Sequence, residues 1–123
     1  MKIVSFKTAK IITQKCRDEY SNYENNFWYY GSDGIAKKTN VSELNDSLVK
    51  AYDPDFVCDK LRGKHDLHIT TKPYITEEGI CFLFEIYGLY PEMFKLLKTK
   101  TGFASHYMAL DAGIAYCYEN LIK

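Results

Sequence analysis

Two histidines flank an acidic residue in the middle of the chain, and together these side chains could bind a metal ion. His65 and His68 lie on either side of Asp66, and imidazole and carboxylate groups are common zinc ligands. The spacing does not suit a shared ion, because residues three apart on a strand point to opposite faces of a sheet. His65 also falls at the predicted end of a helix, where its ring points elsewhere again. We therefore predict no metal site here.

The sequence offers little support for acid–base or nucleophilic catalysis. Glu77 and Glu78 are adjacent acids, but they precede Gly79 in a predicted turn, where solvated carboxylates are ordinary. His106 begins the last predicted helix, and no motif links it to a serine or cysteine nucleophile. There is no glycine-rich phosphate loop, nucleophile elbow or triad spacing. We predict a non-catalytic protein without metal or cofactor; the alternative is an enzyme with an unrecognised site.

Basic and aromatic residues occur together in the C-terminal half, and this combination could bind nucleic acid. Basic side chains attract phosphates, while aromatic rings stack on bases. The candidate binding face consists of Lys60, Arg62, Lys64, Tyr87, Tyr90, Phe94, Lys95, Lys98 and Lys100. However, lysine plus arginine and aspartate plus glutamate number 16 each, so no excess positive charge draws the chain to nucleic acid. A solvated lysine face is the favoured interpretation, and nucleic-acid binding is the alternative.

Length and composition predict one folded domain. A chain of 123 residues can bury one hydrophobic core, and its 46% hydrophobic and 26% charged residues are close to the globular average. The lysine-containing N-terminus has no signal-peptide apolar run, and no stretch approaches transmembrane length. We expect a soluble cytoplasmic protein.

The four cysteines, Cys16, Cys58, Cys81 and Cys117, are far apart and form no C-x-x-C pair. Each falls on or near an apolar stripe, so we predict reduced thiols in the core. The alternative, a disulfide framework, would imply secretion, which nothing else in the sequence supports.

Apolar spacing and turn residues predict an α+β fold in the order α-β-β-α-β-β-α, with an antiparallel sheet covered by helices. The elements are a helix from about Phe6 to Cys16, strands Phe27 to Tyr30 and Ile35 to Lys38, a helix from about Pro54 to Lys64, strands Leu67 to Lys72 and Ile80 to Leu89, and a helix from Ser105 to Lys123. Residues 39–52 fit one loose helix or a loop. Residues 90–104 fit a turn of helix, an irregular loop or a third short strand.

The C-terminal helix is predicted to be the main packing element. A stripe at spacings of three and four residues contains Tyr107, Leu110, Ile114, Cys117 and Leu121. Ala109 and Gly113 lie beside it, one turn apart, and such small residues let a helix approach a sheet closely. The strand from Ile80 to Leu89 is apolar on both faces, as expected of a strand covered on both sides.

Five segments resemble a family of small uncharacterised bacterial proteins. They are VSFKTAK, FWYYGSDG, LRGKHDLHI, FEIYGL and YMALDAGIAYCYENLIK, in that order. The corresponding family segments read like SFETAK, YYN-DG, LREKHNIHI and YEEALEAGI, and the resemblance covers most of the chain. The chain departs from the family where His106, Tyr107 and Met108 replace favoured acidic residues, and where no tryptophan precedes Leu61 and Arg62.

Members of this family look phage- or mobile-element-associated, and the resemblance supplies no functional residues. It implies an accessory protein that binds another macromolecule, most readily a protein, and the eleven tyrosines suit interfaces as well as sheet surfaces. The C-terminal third is also similar to the partial ribonuclease-H-like domain of HicB-type antitoxins, which neutralise an RNA-cleaving toxin by protein contact. That similarity rests on a hairpin and a helix, so it is an analogy of fold.

Overall fold

The computed structural model describes residues 3–15, 27–39, 48–89 and 93–122, and the chain divides into two compact units, Met1–Asp53 and Pro54–Lys123. The first unit contains α1 (Phe6–Lys15), β1 (Phe27–Tyr30), β2 (Ala36–Thr39) and β3 (Val49–Lys50). The second contains α2 (Pro54–His65), β4 (Leu67–Thr76), β5 (Gly79–Leu89), β6 (Phe94–Phe103), α3 (His106–Tyr116) and a π-helical segment (Cys117–Leu121). The predicted α+β class is confirmed. The expectation of a single domain stays a prediction. Division into two compact units does not show whether each unit folds independently, which is what would make it a domain.

The first helix begins as its capping residue predicts. The Ser5 hydroxyl accepts a hydrogen bond from the Thr8 backbone N–H at 3.2 Å, which satisfies one of the free donors at the helix start. Ala9 and Ile12, one turn apart, are fully buried. The predicted end at Cys16 lies outside the described residues.

The predicted hairpin of β1 and β2 is confirmed, with a third strand beside it. The three-stranded antiparallel sheet has the order β2-β1-β3, and Tyr30 pairs with Ala36 across the turn. Gly34 adopts a positive φ of 76°, which glycine tolerates without steric cost. The short strand β3 lies within residues 39–52, for which the sequence predicts one loose helix or a loop. Neither alternative includes this strand. Residues 40–47 of that segment lie outside the described part of the chain.

The second unit starts with the predicted Asp-Pro helix. Its buried residues are Pro54, Val57, Cys58 and Leu61, and the last three have spacings of one and three. Asp66 follows with a positive φ of 53°, and this left-handed residue turns the chain directly from α2 into β4.

The sheet of the second unit is antiparallel, with the order β4-β5-β6. The pairing of β4 with β5 is regular from Leu67 opposite Gly88 to Thr76 opposite Gly79. The edge strand β6 falls within residues 90–104. It corresponds to the third short strand, which is one of the three alternatives that the sequence offers for this segment. Two register shifts against β5 break its alternation, and this hides the strand pattern in the sequence. Register shifts are also one device by which edge strands avoid pairing with other chains.

The C-terminal helix packs on this sheet, as predicted, through its small residues. Ala109, Gly113 and Ile114 are buried in α3. The predicted stripe is correct for Ile114 and Cys117, whereas Tyr107, Leu110 and Leu121 are only half-buried. The close contact through Gly113 turns the helix so that these larger residues lie at the margins. The π-helical segment closes with a hydrogen bond from the Ile122 N–H to the Cys117 carbonyl at 3.0 Å.

Two further predictions concern the thiols and the membrane. Cys58 and Cys117 are buried thiols, as predicted, while Cys81 is a half-buried thiol. Cys16 lies outside the described residues. Among the helices that are described, none has the length and apolar character needed to cross a membrane.

Candidate functional site

The second sheet has two chemically different faces. Successive side chains on a strand alternate between faces, and directly paired residues share a face. The helix face carries Ile69, Phe84 and Ile86 beneath α3. The opposite face, called the distal face below, carries His68, Thr70, Lys72 and Tyr74 of β4, Cys81, Leu83, Glu85, Tyr87 and Leu89 of β5, and Phe94, Leu96 and Thr99 of β6.

The two faces differ in burial. Phe84 and Ile86 on the helix face are 1% and 0% exposed. On the distal face, Leu83, Glu85 and Tyr87 are only half-buried. The expectation that β5 is covered on both sides is therefore wrong, because apolar residues on both sides of a strand do not by themselves place a second layer over it.

An aromatic cluster occupies one end of the distal face. The rings of Tyr87 and Phe94 stack with centroids 5.5 Å apart and an interplanar angle of 12°. The His68 ring meets Phe94 edge-on, with centroids 5.1 Å apart. Phe94 is 53% exposed, and Leu89 and Leu96 beside it are 51% and 45% exposed. This end of the face therefore presents a preformed apolar surface to solvent.

A charged pair lies next to the cluster and is neutral as a unit. Lys72 Nζ lies 2.7 Å from Glu85 Oε1, and the Tyr87 hydroxyl donates a hydrogen bond to Glu85 Oε2 at 3.1 Å. Hydrogen bonding to Lys72 lowers the pKa of Glu85, although partial desolvation opposes the shift. The same contact raises the pKa of Lys72. The Glu85 carboxylate thus stays ionised, and it orients the Tyr87 ring within the cluster.

The structure separates the predicted lysines from the predicted aromatic residues. Tyr87 and Phe94 meet on the distal face, as described. Lys98 and Lys100 pair across from Ile86 and Phe84, which places them on the helix face. Lys98 Nζ lies over the Tyr116 ring of α3, 5.3 Å from its centroid. Lys95 pairs with Gly88 on that same face, at the end of the strand. The lysines of β6 therefore do not surround the stacked rings.

Lys60 and Arg62, two of the basic residues predicted on α2, have contacts within that helix. Lys60 Nζ lies 5.7 Å from the centroid of the Phe56 ring, and the Arg62 guanidinium pairs with the Asp59 carboxylate. Lys64 is exposed in the last turn of the helix. Tyr90, the remaining predicted residue, lies outside the described part of the chain. These local contacts fit the solvated lysine face that the sequence favoured.

The histidines and acids considered for catalysis do not form a common centre. His65 ends α2, while His68 belongs to the aromatic cluster on β4. The Nδ1 atom of His106 contacts the Thr71 hydroxyl on the helix side of the sheet. Glu77 and Glu78 are exposed in the β4–β5 turn. Within the described residues, no group of three or more histidine, cysteine or acidic side chains is placed to hold a metal ion.

A small cleft lies in the first unit. It has a volume of about 260 Å³ and lies beside the β1–β2 hairpin. Its acidic residue, Asp33, already accepts a hydrogen bond from the Ile35 backbone N–H at 3.0 Å, which fixes the turn. The Asp33 carboxylate therefore serves the hairpin turn, and the cleft is a weaker candidate for a binding site than the distal face.

Sequence reasoning found Tyr87 and Phe94 but missed His68, Leu89, Leu96 and the pair of Lys72 with Glu85. The signal that could have found part of this set is the alternation of Leu83, Glu85, Tyr87 and Leu89 on β5, which places all four on one face. The contribution of β6 depends on its register, which the sequence does not show.

The chain matches no protein-family model, and comparisons with curated proteins and with solved structures likewise gave no match. The resemblance described from the sequence therefore stays a prediction.

Proposed function

We propose that the chain is a non-catalytic binding protein of the cytoplasm that contacts another protein through the distal face of its second sheet. On the basis of the sequence resemblance, we propose that it is an accessory protein of a phage or mobile element. The observation that carries the proposal is the aromatic cluster of His68, Tyr87 and Phe94, together with the exposed side chains of Phe94, Leu89 and Leu96.

The composition of this cluster favours a protein partner. Aromatic side chains are enriched in the centres of protein interfaces, and large exposed apolar patches mark interaction sites. The stacked rings of Tyr87 and Phe94 are held in place before any partner binds, so association loses less side-chain entropy. A partner that inserts apolar side chains against these rings would bury Phe94, Leu89 and Leu96 together.

The arrangement of charge is less suited to nucleic acid. Affinity for nucleic acid comes largely from cations that contact phosphates, and base stacking works beside such cations. On the distal face, Lys72 is paired with Glu85, and Lys98 and Lys100 belong to the other side of the sheet. Nucleic-acid binding therefore remains the alternative. A HicB-like antitoxin role, which also acts by protein contact, is a further alternative.

Affinity capture with matched variants tests the proposal. The wild-type chain, Phe94→Lys and the control Ile75→Lys would be immobilised in equal amounts and exposed to lysate of the native host. Ile75 is 86% exposed and lies on the helix face, so its variant adds the same charge to a different surface. We expect the same specific protein to be retained by the wild type and the control and lost with Phe94→Lys.

Two results would contradict this assignment. Retention of the same protein by Phe94→Lys would place the contact elsewhere on the chain. Co-purification of nucleic acid that is released by modest salt, with no retained protein, would favour the nucleic-acid alternative. Circular dichroism of all three proteins would show that the comparison is between folded chains.

A further inference from the structure

We infer that, in the free protein, the distal face is occupied by a second copy of this chain, so that two sheets pack face to face in a symmetric dimer. The inference rests on the proposed function, since it names the partner that the same protein-binding face takes when no other protein is present. It is carried by the charge balance of the face, by its area and by the protection of the sheet edges.

The charge of the distal face suits contact with itself. A two-fold axis brings the same patch of each copy together, so a face with a net charge would repel its own copy. Here Lys72 and Glu85 neutralise each other at 2.7 Å, and the other residues named on this face include no lysine, arginine, aspartate or glutamate. A strongly charged partner would find no opposite charge on this face, whereas a second copy presents the neutral apolar surface that matches it.

The Glu85 carboxylate at the centre of the face already has an ion-pair partner and a hydrogen-bond donor before association. Both oxygens of Glu85 are engaged, one by Lys72 and the other by the Tyr87 hydroxyl. Covering Glu85 therefore leaves its carboxylate paired, which limits the free-energy cost of removing this charged group from water. The side chain of Glu85 is 16% exposed and that of Lys72 55% exposed, so dimerisation would mainly cover the lysine.

The area is sufficient for a weak specific dimer. The three strands contain 10, 11 and 10 residues. With strands about 4.8 Å apart and about 3.4 Å per residue, one face has a footprint of roughly 500 Å². Two copies would bury roughly 1,000 Å², which lies at the lower limit of specific protein interfaces. Two sheets packed in this way would be about 10 Å apart.

The edges of the sheet favour association through the face. The β4 edge contains Pro73, which lacks an N–H donor for strand pairing. The β6 edge has two register shifts and the lysines Lys95, Lys98 and Lys100. Both features disfavour the addition of a strand from another chain. A contact between copies is therefore directed to the apolar distal face.

Sedimentation velocity of the purified full chain, from about 1 μM to about 1 mM, measures the association directly. We expect the wild type and Ile75→Lys to shift from monomer to dimer over this range. Leu96→Lys places one lysine from each copy near the contact, and we expect at least a tenfold weaker dimer. A wild type that stays monomeric throughout, or a Leu96→Lys variant that dimerises as strongly as Ile75→Lys, would overturn the inference.

A charge exchange separates face-to-face contact from other modes of dimerisation. Lys72→Glu leaves two acids on the distal face, and Glu85→Lys leaves two lysines, so each variant alone should repel its own copy. We expect both to be monomeric at low salt and their equimolar mixture to form a heterodimer. Folded variants that each dimerise alone as well as the wild type would overturn the inference.

The sedimentation and affinity-capture experiments together distinguish dimerisation through the distal face from binding of a host protein. A monomeric wild type that still retains a host protein, and loses it with Phe94→Lys, would leave the binding face assigned and exclude only the second copy. A dimer without any retained protein would support the inference and count against the proposed function.

Discussion

Gly113 of α3 lies against Ile69 of β4 so closely that a Cβ atom at position 113 would be 3.1 Å from Ile69 Cγ2. The same Cβ atom would lie 3.3 Å from Phe84 Cγ. Glycine in a helix interior costs about 1 kcal/mol relative to alanine, so this contact gives a reason to keep it. The helix reaches the sheet through a position that has no side chain.

Substitution of Gly113 tests that contact. We expect Gly113→Val to destabilise the protein by about 1–3 kcal/mol, because the added carbons overpack the space against Ile69 and Phe84. Gly63→Ala in α2 is the matched control, since a Cβ atom there meets nothing within 4 Å. We expect that variant to gain about 0.4–1 kcal/mol. Denaturant unfolding measures both, and an unchanged free energy for Gly113→Val would show that the helix is not held this closely.

Ile114 tests whether the same helix is essential for folding. Its side chain is fully buried. We expect Ile114→Ala to cost about 2–5 kcal/mol, since it leaves a cavity. Ile114→Asp adds a buried carboxylate without a partner, and we expect it to unfold the protein. Thermal unfolding followed by circular dichroism provides the measurement, and an unchanged melting temperature for Ile114→Asp would contradict the packing described.

The Lys72–Glu85 pair predicts a dependence of stability on acid. The pKa of Glu85 is lowered below its ordinary value of 4.5, so the native state favours the ionised form. Its contribution is complete above the pKa of the unfolded chain and is lost as the pH falls through the lower folded-state pKa. We expect the difference in melting temperature between the wild type and Glu85→Gln to be largest above pH 4.5 and to shrink below it.

The control for this measurement is Glu77→Gln, which removes one acidic charge from the exposed β4–β5 turn. Its melting temperature should follow that of the wild type more closely through the acid range. An equal response in the two variants would indicate a general effect of net charge and would contradict a specific role for the pair.

The cysteines should differ in reactivity. Burial, with a smaller contribution from Cys58, raises the pKa of the Cys117 thiol to about 12. Since the thiolate is the reactive form, Cys117 should resist alkylation in the folded protein. Cys81 is half-buried on the distal face and should react sooner. Timed iodoacetamide labelling with peptide mass mapping checks the order, and labelling of Cys117 as fast as Cys81 would contradict it.

Local sequence determined those elements whose signals depend on neighbouring residues. Ser5 and the Asp53-Pro54 pair mark helix starts because capping and proline geometry act within one turn. The Gly31 to Gly34 turn predicts its hairpin for the same reason. The sequence predicts the strand β6 only as one of three alternatives, because two register shifts and three lysines interrupt its alternation. Such a strand is recognised by its pairing with β5, which is a long-range property.

The candidate site shows the same division. The sequence alone predicted Tyr87 and Phe94 as candidates for a binding face and Ala109 and Gly113 as positions of close approach, because residue type and spacing carry that information. Only the tertiary structure decided that Tyr87 stacks on Phe94 while Lys98 and Lys100 lie across the sheet from them. The physical reason is register: a shift of one residue moves a side chain to the opposite face. Register is fixed by packing against α3 and β5, not by the local sequence of β6.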